Sequence, residues 1–132
     1  MPNQLMNATE ILLLLFLVIT FIQSGLDKLI DWKGNLGWLK AHFSKTSLNQ
    51  VVPVLLGIVL ISELLTGILS MIGIWDIVIN GRTTIAFYGA ILSCMTLLML
   101  LLGQRIAKDY QGAQTLVVYF IPAIFLVFLL QG

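Results

Sequence analysis

The amino-acid sequence predicts an all-α fold: an integral membrane four-helix bundle that forms a single transmembrane domain, residues 1–132. Of the 132 residues, 59% are hydrophobic and 10% are charged, whereas a soluble domain carries about 25% charged residues. The apolar residues gather in four long runs, at about 10–30, 51–75, 83–103 and 115–131. A helix needs about 20 apolar residues to cross a bilayer core, and a helix satisfies its own backbone hydrogen bonds in lipid. We therefore expect four membrane-spanning helices in contact with the lipid bilayer.

The first apolar run is expected to remain as a helix rather than to be removed as a signal peptide. No Lys or Arg precedes it, and no A-x-A cleavage site follows. A signal peptide carries basic residues before its apolar run and a cleavage site of this kind after it.

Basic residues predict the orientation of the bundle. Only Arg82 lies on the side that holds the chain termini. The other six lie at the opposite side, near the ends of the first and third helices: Lys28, Lys33, Lys40, Lys45, Arg105 and Lys108. Basic loops stay in the cytoplasm. We therefore expect a multi-pass protein of the bacterial cytoplasmic (inner) membrane, with both termini on the non-cytoplasmic side.

The longest loop, residues 31–50, carries an amphipathic pattern. Leu36 and Leu39 fall on one side of it, and Trp32 and Trp38 stand at its front. Trp favours the membrane interface. The pattern fits a short interfacial helix in the headgroup layer, and it equally fits a polar loop with anchoring aromatic residues.

Ionisable residues within the apolar runs indicate a candidate pocket. Glu63 lies in the second run, where a charge costs at least roughly 2.5–3.5 kcal/mol. We expect it to face the bundle interior, either protonated or paired with Lys28 or Gln23. The predicted pocket for a small ligand or for protons comprises Gln23, Asp27, Lys28, Glu63, Thr66 and Tyr119. The alternative is that these polar groups only hold the helices in register.

Several function classes find little support in the composition. The net charge of +1 provides no field that would attract nucleic acid, so no nucleic-acid partner is expected. Cys94 and His42 are the only cysteine and histidine. A disulfide within the chain is excluded, and no metal site built by this chain alone is expected. Any electron transfer would therefore need a partner or a bound organic molecule.

Three segments together resemble one family over nearly the whole chain. They are FIQSGLDKLIDW in the first helix, ISELLTGILSMIGIW in the second, and GQRIAKDYQGAQTLVVYF after the third. In order and spacing they resemble the DoxX family of small four-helix bacterial membrane proteins. The family is named after subunits associated with a thiosulfate:quinone oxidoreductase. By similarity, the residues carried over are Gly25 and Lys28, Glu63 and Gly67, and the loop residues Arg105, Asp109 and Gly112.

The polar pocket and the resemblance together predict an accessory subunit of a membrane oxidoreductase assembly. Because the sequence has neither a metal-binding cluster nor a redox cysteine pair, catalysis by the chain alone is not expected. Its polar intramembrane pocket would hold a quinone, which is the one cofactor expected. Gly25 and Gly67 are read as helix-packing positions. The alternative is a non-catalytic assembly factor or structural subunit that binds another membrane protein or a second copy of itself. A small transporter is a third alternative. It is the least favoured, because four helices leave little room for alternating access unless the protein dimerises.

Overall fold

The structure is a computed structural model that describes residues 7–131. It contains five helices and, within those residues, no strand. The helices are α1 (Ala8–Ile30), α2 (Trp32–His42), α3 (Val52–Asn80), α4 (Thr84–Ile106) and α5 (Tyr110–Gln131). All except α2 are long and apolar enough to cross a membrane. The all-α prediction with four long apolar helices is thus confirmed. The first six residues and the last residue of the predicted domain lie outside the described residues.

The helices extend beyond the apolar runs that predicted them. The largest differences are in α3, which continues to Asn80, and in α5, which begins at Tyr110. A helix ends where its backbone is capped, whereas an apolar run ends at the edge of the hydrocarbon core of the bilayer. For α3 the cap is Gly81, whose φ of 67° is left-handed, a conformation that glycine adopts without steric cost. With 29 residues, α3 is about 44 Å long at 1.5 Å per residue.

The four long helices pack in sequence around the bundle. α1 lies against α3, α3 against α4 and α4 against α5, with a smaller contact between α1 and α5. The core includes Leu14, Leu17 and Phe21 of α1, Ile77 of α3 and Leu126 of α5. This core lies in the half of the bundle where α1 begins. The other half, where α1 ends, carries α2 and most of the charged residues.

The outward faces of the long helices are strongly apolar. Leu12, Ile61 and Phe128 are each about two-thirds exposed, at 65%, 67% and 65%. In water such continuous apolar surface would be unfavourable at about 25 cal/mol per Å². These faces therefore contact the lipid bilayer.

The segment between α1 and α3 forms the short helix α2. The side chain of Asp31 accepts a hydrogen bond from the Gly34 N–H at 3.1 Å and so caps the first turn. The helix ends at His42, and none of its residues is fully buried. Of the two readings that the sequence left open, the structure contains the helix; its placement in the headgroup layer stays a prediction.

Candidate functional site

An ion pair between α1 and α3 is the central polar feature within the bundle. Lys28 Nζ lies 2.8 Å from Glu63 Oε1, with 16% and 4% of the two side chains exposed. Lys28 is in the last turn of α1, and Glu63 lies twelve positions into α3 when Val52 is counted as the first. The pair connects these two helices within the bundle.

Two glycines allow α1 and α3 to approach closely enough for this pair. A Cβ at Gly25 would lie 2.5 Å from Leu64 Cδ2, and a Cβ at Gly67 would overlap the side chain of Ile22. Small residues at such crossings let helix backbones come together. The positions read as packing residues in the sequence therefore lie at the α1–α3 contact.

The hydrogen bonds around Lys28 leave the buried Oε1 atom of Glu63 without an aligned donor. Lys28 Nζ donates to Ser24 Oγ at 2.8 Å and, at 3.4 Å, to the Ser24 carbonyl. Glu63 Oε1 is buried and receives no aligned hydrogen bond from any described residue. It is held by the charge of Lys28. This oxygen can still accept a hydrogen bond or a proton.

The structure leaves Gln23 and Asp27 outside this cluster, and their side chains are exposed. Of the two partners considered for Glu63, the structure pairs it with Lys28, and Gln23 makes no hydrogen bond to it. Successive residues turn by about 100° around a helix, so residues two apart lie on nearly opposite sides. Phe21 and Gly25 are buried in α1, and that places Gln23 and Asp27 on the outer side.

The other two predicted pocket residues are not hydrogen-bonded to the ion pair. Thr66 is fully buried, and its hydroxyl donates to the Ser62 carbonyl at 2.7 Å within α3. Tyr119 is 37% exposed, and its ring lies 6.2 Å from that of Phe16. Of the six predicted residues, the structure joins only Lys28 and Glu63 in a direct contact.

A cavity of about 370 Å³ lies beside Lys28, between α2, the first half of α3 and the last part of α4. Pockets for small molecules have volumes of about 300–1,000 Å³. Its wall is mainly apolar and includes Trp38, Leu56, Val59, Met99 and Leu100. The polar groups on the wall are Lys28, Asn35 and Gln104.

Asn35 and Gln104 were not predicted as part of a site. They come from different helices, so only tertiary packing brings them to one cavity. The sequence did contain one indication of such a cavity. The apolar side of α2, with Leu36 and Leu39, is expected to pack against another apolar surface. Leu39 indeed lines the cavity.

His42 attaches the end of α2 to the turn between α4 and α5. Its Nε2 lies 2.9 Å from Gln104 Oε1 and 3.6 Å from Asp109 Oδ2. The ring of Trp38 stacks on the imidazole, with 4.6 Å between ring centroids. Gln104 thus both lines the cavity and holds the helix that covers it.

The three predicted loop residues take structural positions at this turn. Asp109 Oδ1 accepts the Gly112 N–H at 2.9 Å, which caps the start of α5. A Cβ at Gly112 would lie 2.6 Å from Asp109 Oδ2, so a larger residue here would have to displace the capping carboxylate. Arg105 is exposed, and its guanidinium lies 5.0 Å from the centre of the Tyr110 ring.

Neither a metal cluster nor a pair of thiols appears within residues 7–131. No three His, Cys, Asp or Glu side chains there come together as a metal site would need. Cys94 is buried in α4.

Fold and site together define a class: a multi-pass α-helical membrane protein with a lipid-contacting surface and one buried ion pair beside an apolar cavity. Comparison of the chain with family models, with curated proteins and with solved structures found no match.

Proposed function

We propose that the protein binds a quinone-like molecule in the cavity beside Lys28 and serves as an accessory subunit of a membrane oxidoreductase assembly. The observation that carries the proposal is an apolar cavity of about 370 Å³ with Lys28 among its lining residues. The resemblance to the DoxX family adds the oxidoreductase context. In this proposal the localisation is the bacterial inner membrane.

The cavity and the ion pair supply the chemistry that a quinone requires. A quinone head group has two carbonyl oxygens, which accept hydrogen bonds, and Lys28 has N–H groups to donate. Reduction of a quinone also consumes protons. Once Lys28 has given a proton to the reduced quinone, Glu63, 2.8 Å away, would take up a proton from water and return it to the Lys28 amine. Apolar residues such as Val59 and Leu56 would contact the isoprenoid tail. Electrons would come from the partner assembly.

Direct binding tests this proposal on the purified full chain in a mild detergent. A short-chain ubiquinone is titrated while tryptophan fluorescence is followed, because Trp38 lines the cavity. We expect saturable quenching that Trp38→Phe removes in large part. Lys28→Met should weaken binding by about tenfold or more, since a hydrogen bond to a charged donor is lost. Glu63→Gln keeps the shape of the side chain and should lower quinone-dependent turnover in the reconstituted assembly.

Gln23→Leu is the matched control, because Gln23 is polar and exposed on the same helix but lies outside the cavity lining. It should bind the quinone as wild type does. Quenching that does not saturate, or that Lys28→Met and Gln23→Leu change equally, would contradict the proposal. Far-UV circular dichroism of each variant checks that the helices remain folded.

The second candidate is a structural or assembly subunit without a bound quinone. It is favoured by α5, the least buried of the long helices, whose exposed side chains include Val118, Ile121 and Phe128. Such a face suits lipid, another membrane protein or a second copy of this chain. A stoichiometric co-purifying chain with no bound quinone in mass spectra would favour this candidate. Replacing Ile121 and Phe128 with Ala should then release the partner.

A further inference from the structure

A second cleft lies beside the His42 contact. Its volume is about 410 Å³, and two segments far apart in the sequence form its walls. One wall comes from residues 41–46, where α2 ends, and the other from residues 106–108, where α4 ends. The His42–Gln104 hydrogen bond of 2.9 Å holds the two segments together.

Two lysines line this cleft, one on each wall. Lys45 and Lys108 are both exposed, and neither ammonium group has a hydrogen bond or ion pair with any described residue. The nearest acidic group in the sequence, Asp109, is already engaged by the Gly112 N–H and lies 3.6 Å from His42. No ion pair with a described residue therefore compensates either ammonium group.

The hydroxyl groups in the cleft are already used in the local fold. Ser44 Oγ donates to the Ala41 carbonyl, and Thr46 Oγ1 donates to the Phe43 carbonyl, both at 2.9 Å. These bonds shape the wall and leave the ammonium groups as its free donors. A ligand for such a cleft is an anion that accepts several hydrogen bonds.

The backbone at Lys108 supports a role for its side chain. Its φ is 60°, in the left-handed region where residues other than glycine are uncommon. The following turn is closed by the Asp109 N–H, which donates to the Gln104 carbonyl at 2.9 Å. Glycine or asparagine would adopt this backbone conformation with less strain. The presence of a lysine here therefore indicates a use for its charge.

We propose that this cleft is an anion-binding site for a phosphate group, with Lys45 and Lys108 as its two cationic donors. Charge-assisted hydrogen bonds from two ammonium groups match the oxygens of a phosphate monoester or diester. The phosphate can belong to an anionic phospholipid head group or to a soluble compound. The site does not depend on the quinone proposal, because it shares neither Lys28 nor Glu63.

The test measures phosphate binding by the full chain in a neutral maltoside detergent. In one arm, inorganic phosphate is titrated at constant ionic strength while thermal unfolding is followed. In the other arm, phosphatidylglycerol is added and bound lipid is counted by native mass spectrometry. We expect one saturable site per chain in at least one arm. Binding in both arms indicates a site open to soluble phosphates, whereas binding of the lipid alone identifies a head-group site.

Three double variants separate a defined site from general attraction to basic residues. Lys45→Gln with Lys108→Gln removes both proposed donors, and Lys45→Arg with Lys108→Arg keeps their charge. Lys33→Gln with Lys40→Gln is the matched control, because these exposed lysines lie on α2 outside the cleft. General attraction contributes about fivefold per lysine, whereas each charge-assisted hydrogen bond contributes about tenfold or more.

Removing both donors should lower the affinity by about 100-fold or more, against about 25-fold for the control pair. The loss in the Lys45/Lys108 glutamine variant should therefore exceed that of the control by about fourfold or more. The arginine variant should bind within a few-fold of wild type. Equal losses in the cleft and control variants would overturn the proposal, as would the absence of saturable binding in both arms.

Discussion

At the scale of single residues, the buried ion pair explains how a charge lies inside an apolar bundle. Glu63 has 4% of its side chain exposed, and Lys28 Nζ lies 2.8 Å away. Lys28 also donates to Ser24 in the preceding turn of its own helix. An isolated charge in hydrocarbon is costly. Each member of the pair therefore stabilises the fold mainly by compensating the other.

Removing one member of the pair should destabilise the protein more than removing both. Lys28→Met leaves an uncompensated carboxylate, and we expect the free energy of unfolding to fall by about 3 kcal/mol. Lys28→Met combined with Glu63→Leu should recover most of this loss, because no buried charge remains. Unfolding in mixed detergent micelles measures all three proteins. Lys33→Met, an exposed lysine on α2, is the control and should change little; equal stability of Lys28→Met and Lys33→Met would contradict the argument.

At the scale of helices, a close approach between α3 and α4 depends on a residue without a side chain. A Cβ at Gly73 would lie 2.7 Å from Ala86 Cα and 2.9 Å from its backbone nitrogen. Backbone atoms cannot move aside as the end of a flexible side chain can. The two helices must separate if Gly73 gains even a methyl group.

Gly73→Ala should lower the free energy of unfolding by about 1–3 kcal/mol, the usual cost of overpacking. Gly37→Ala is the matched control, since a Cβ at Gly37 in α2 has nothing within 4 Å. There the change should stabilise the helix by up to about 1 kcal/mol. Thermal unfolding of both variants in one detergent provides the comparison. If Gly73→Ala unfolds at or above the wild-type temperature, the close contact does not limit packing.

At the scale of the whole molecule, positive charge is concentrated at one end of the bundle. Lys28 and Arg105 lie at the ends of α1 and α4, and Lys33, Lys40 and Lys45 lie in or after α2. Of the basic residues in the sequence, only Arg82 lies at the other end, where its Nε is 3.7 Å from Asp76 Oδ1. Such asymmetry sets orientation during membrane insertion.

Both termini are therefore expected on the non-cytoplasmic side. Alkaline phosphatase fused after residue 132 should be active, because that enzyme folds outside the cytoplasm, and green fluorescent protein at the same point should be dark. A fusion in the loop after α4 should show the reverse. A fluorescent C-terminal fusion would mean that the orientation is inverted and that α2 lies on the outer side.

The sequence by itself determined the class of the protein and its helical elements. Four apolar runs of about 20 residues permit little else in lipid, because backbone groups there must bond within a helix. It also identified Glu63 as a buried charge that needs Lys28 or another polar group, since hydrocarbon cannot solvate it. These inferences depend only on the composition of short stretches of the chain, which can be read directly from the sequence.

Tertiary structure decided which residues meet. The rotation of α1 brings Lys28 to Glu63 and leaves Gln23 and Asp27 outside, and spacing along one helix does not determine that rotation. Likewise, only the folding of α2 against α4 brings His42 to Gln104. Gln104 of that contact lines the cavity, and His42 lines the basic cleft. Both sites depend on contacts between residues more than 50 positions apart, which side-chain packing selects and local sequence does not specify.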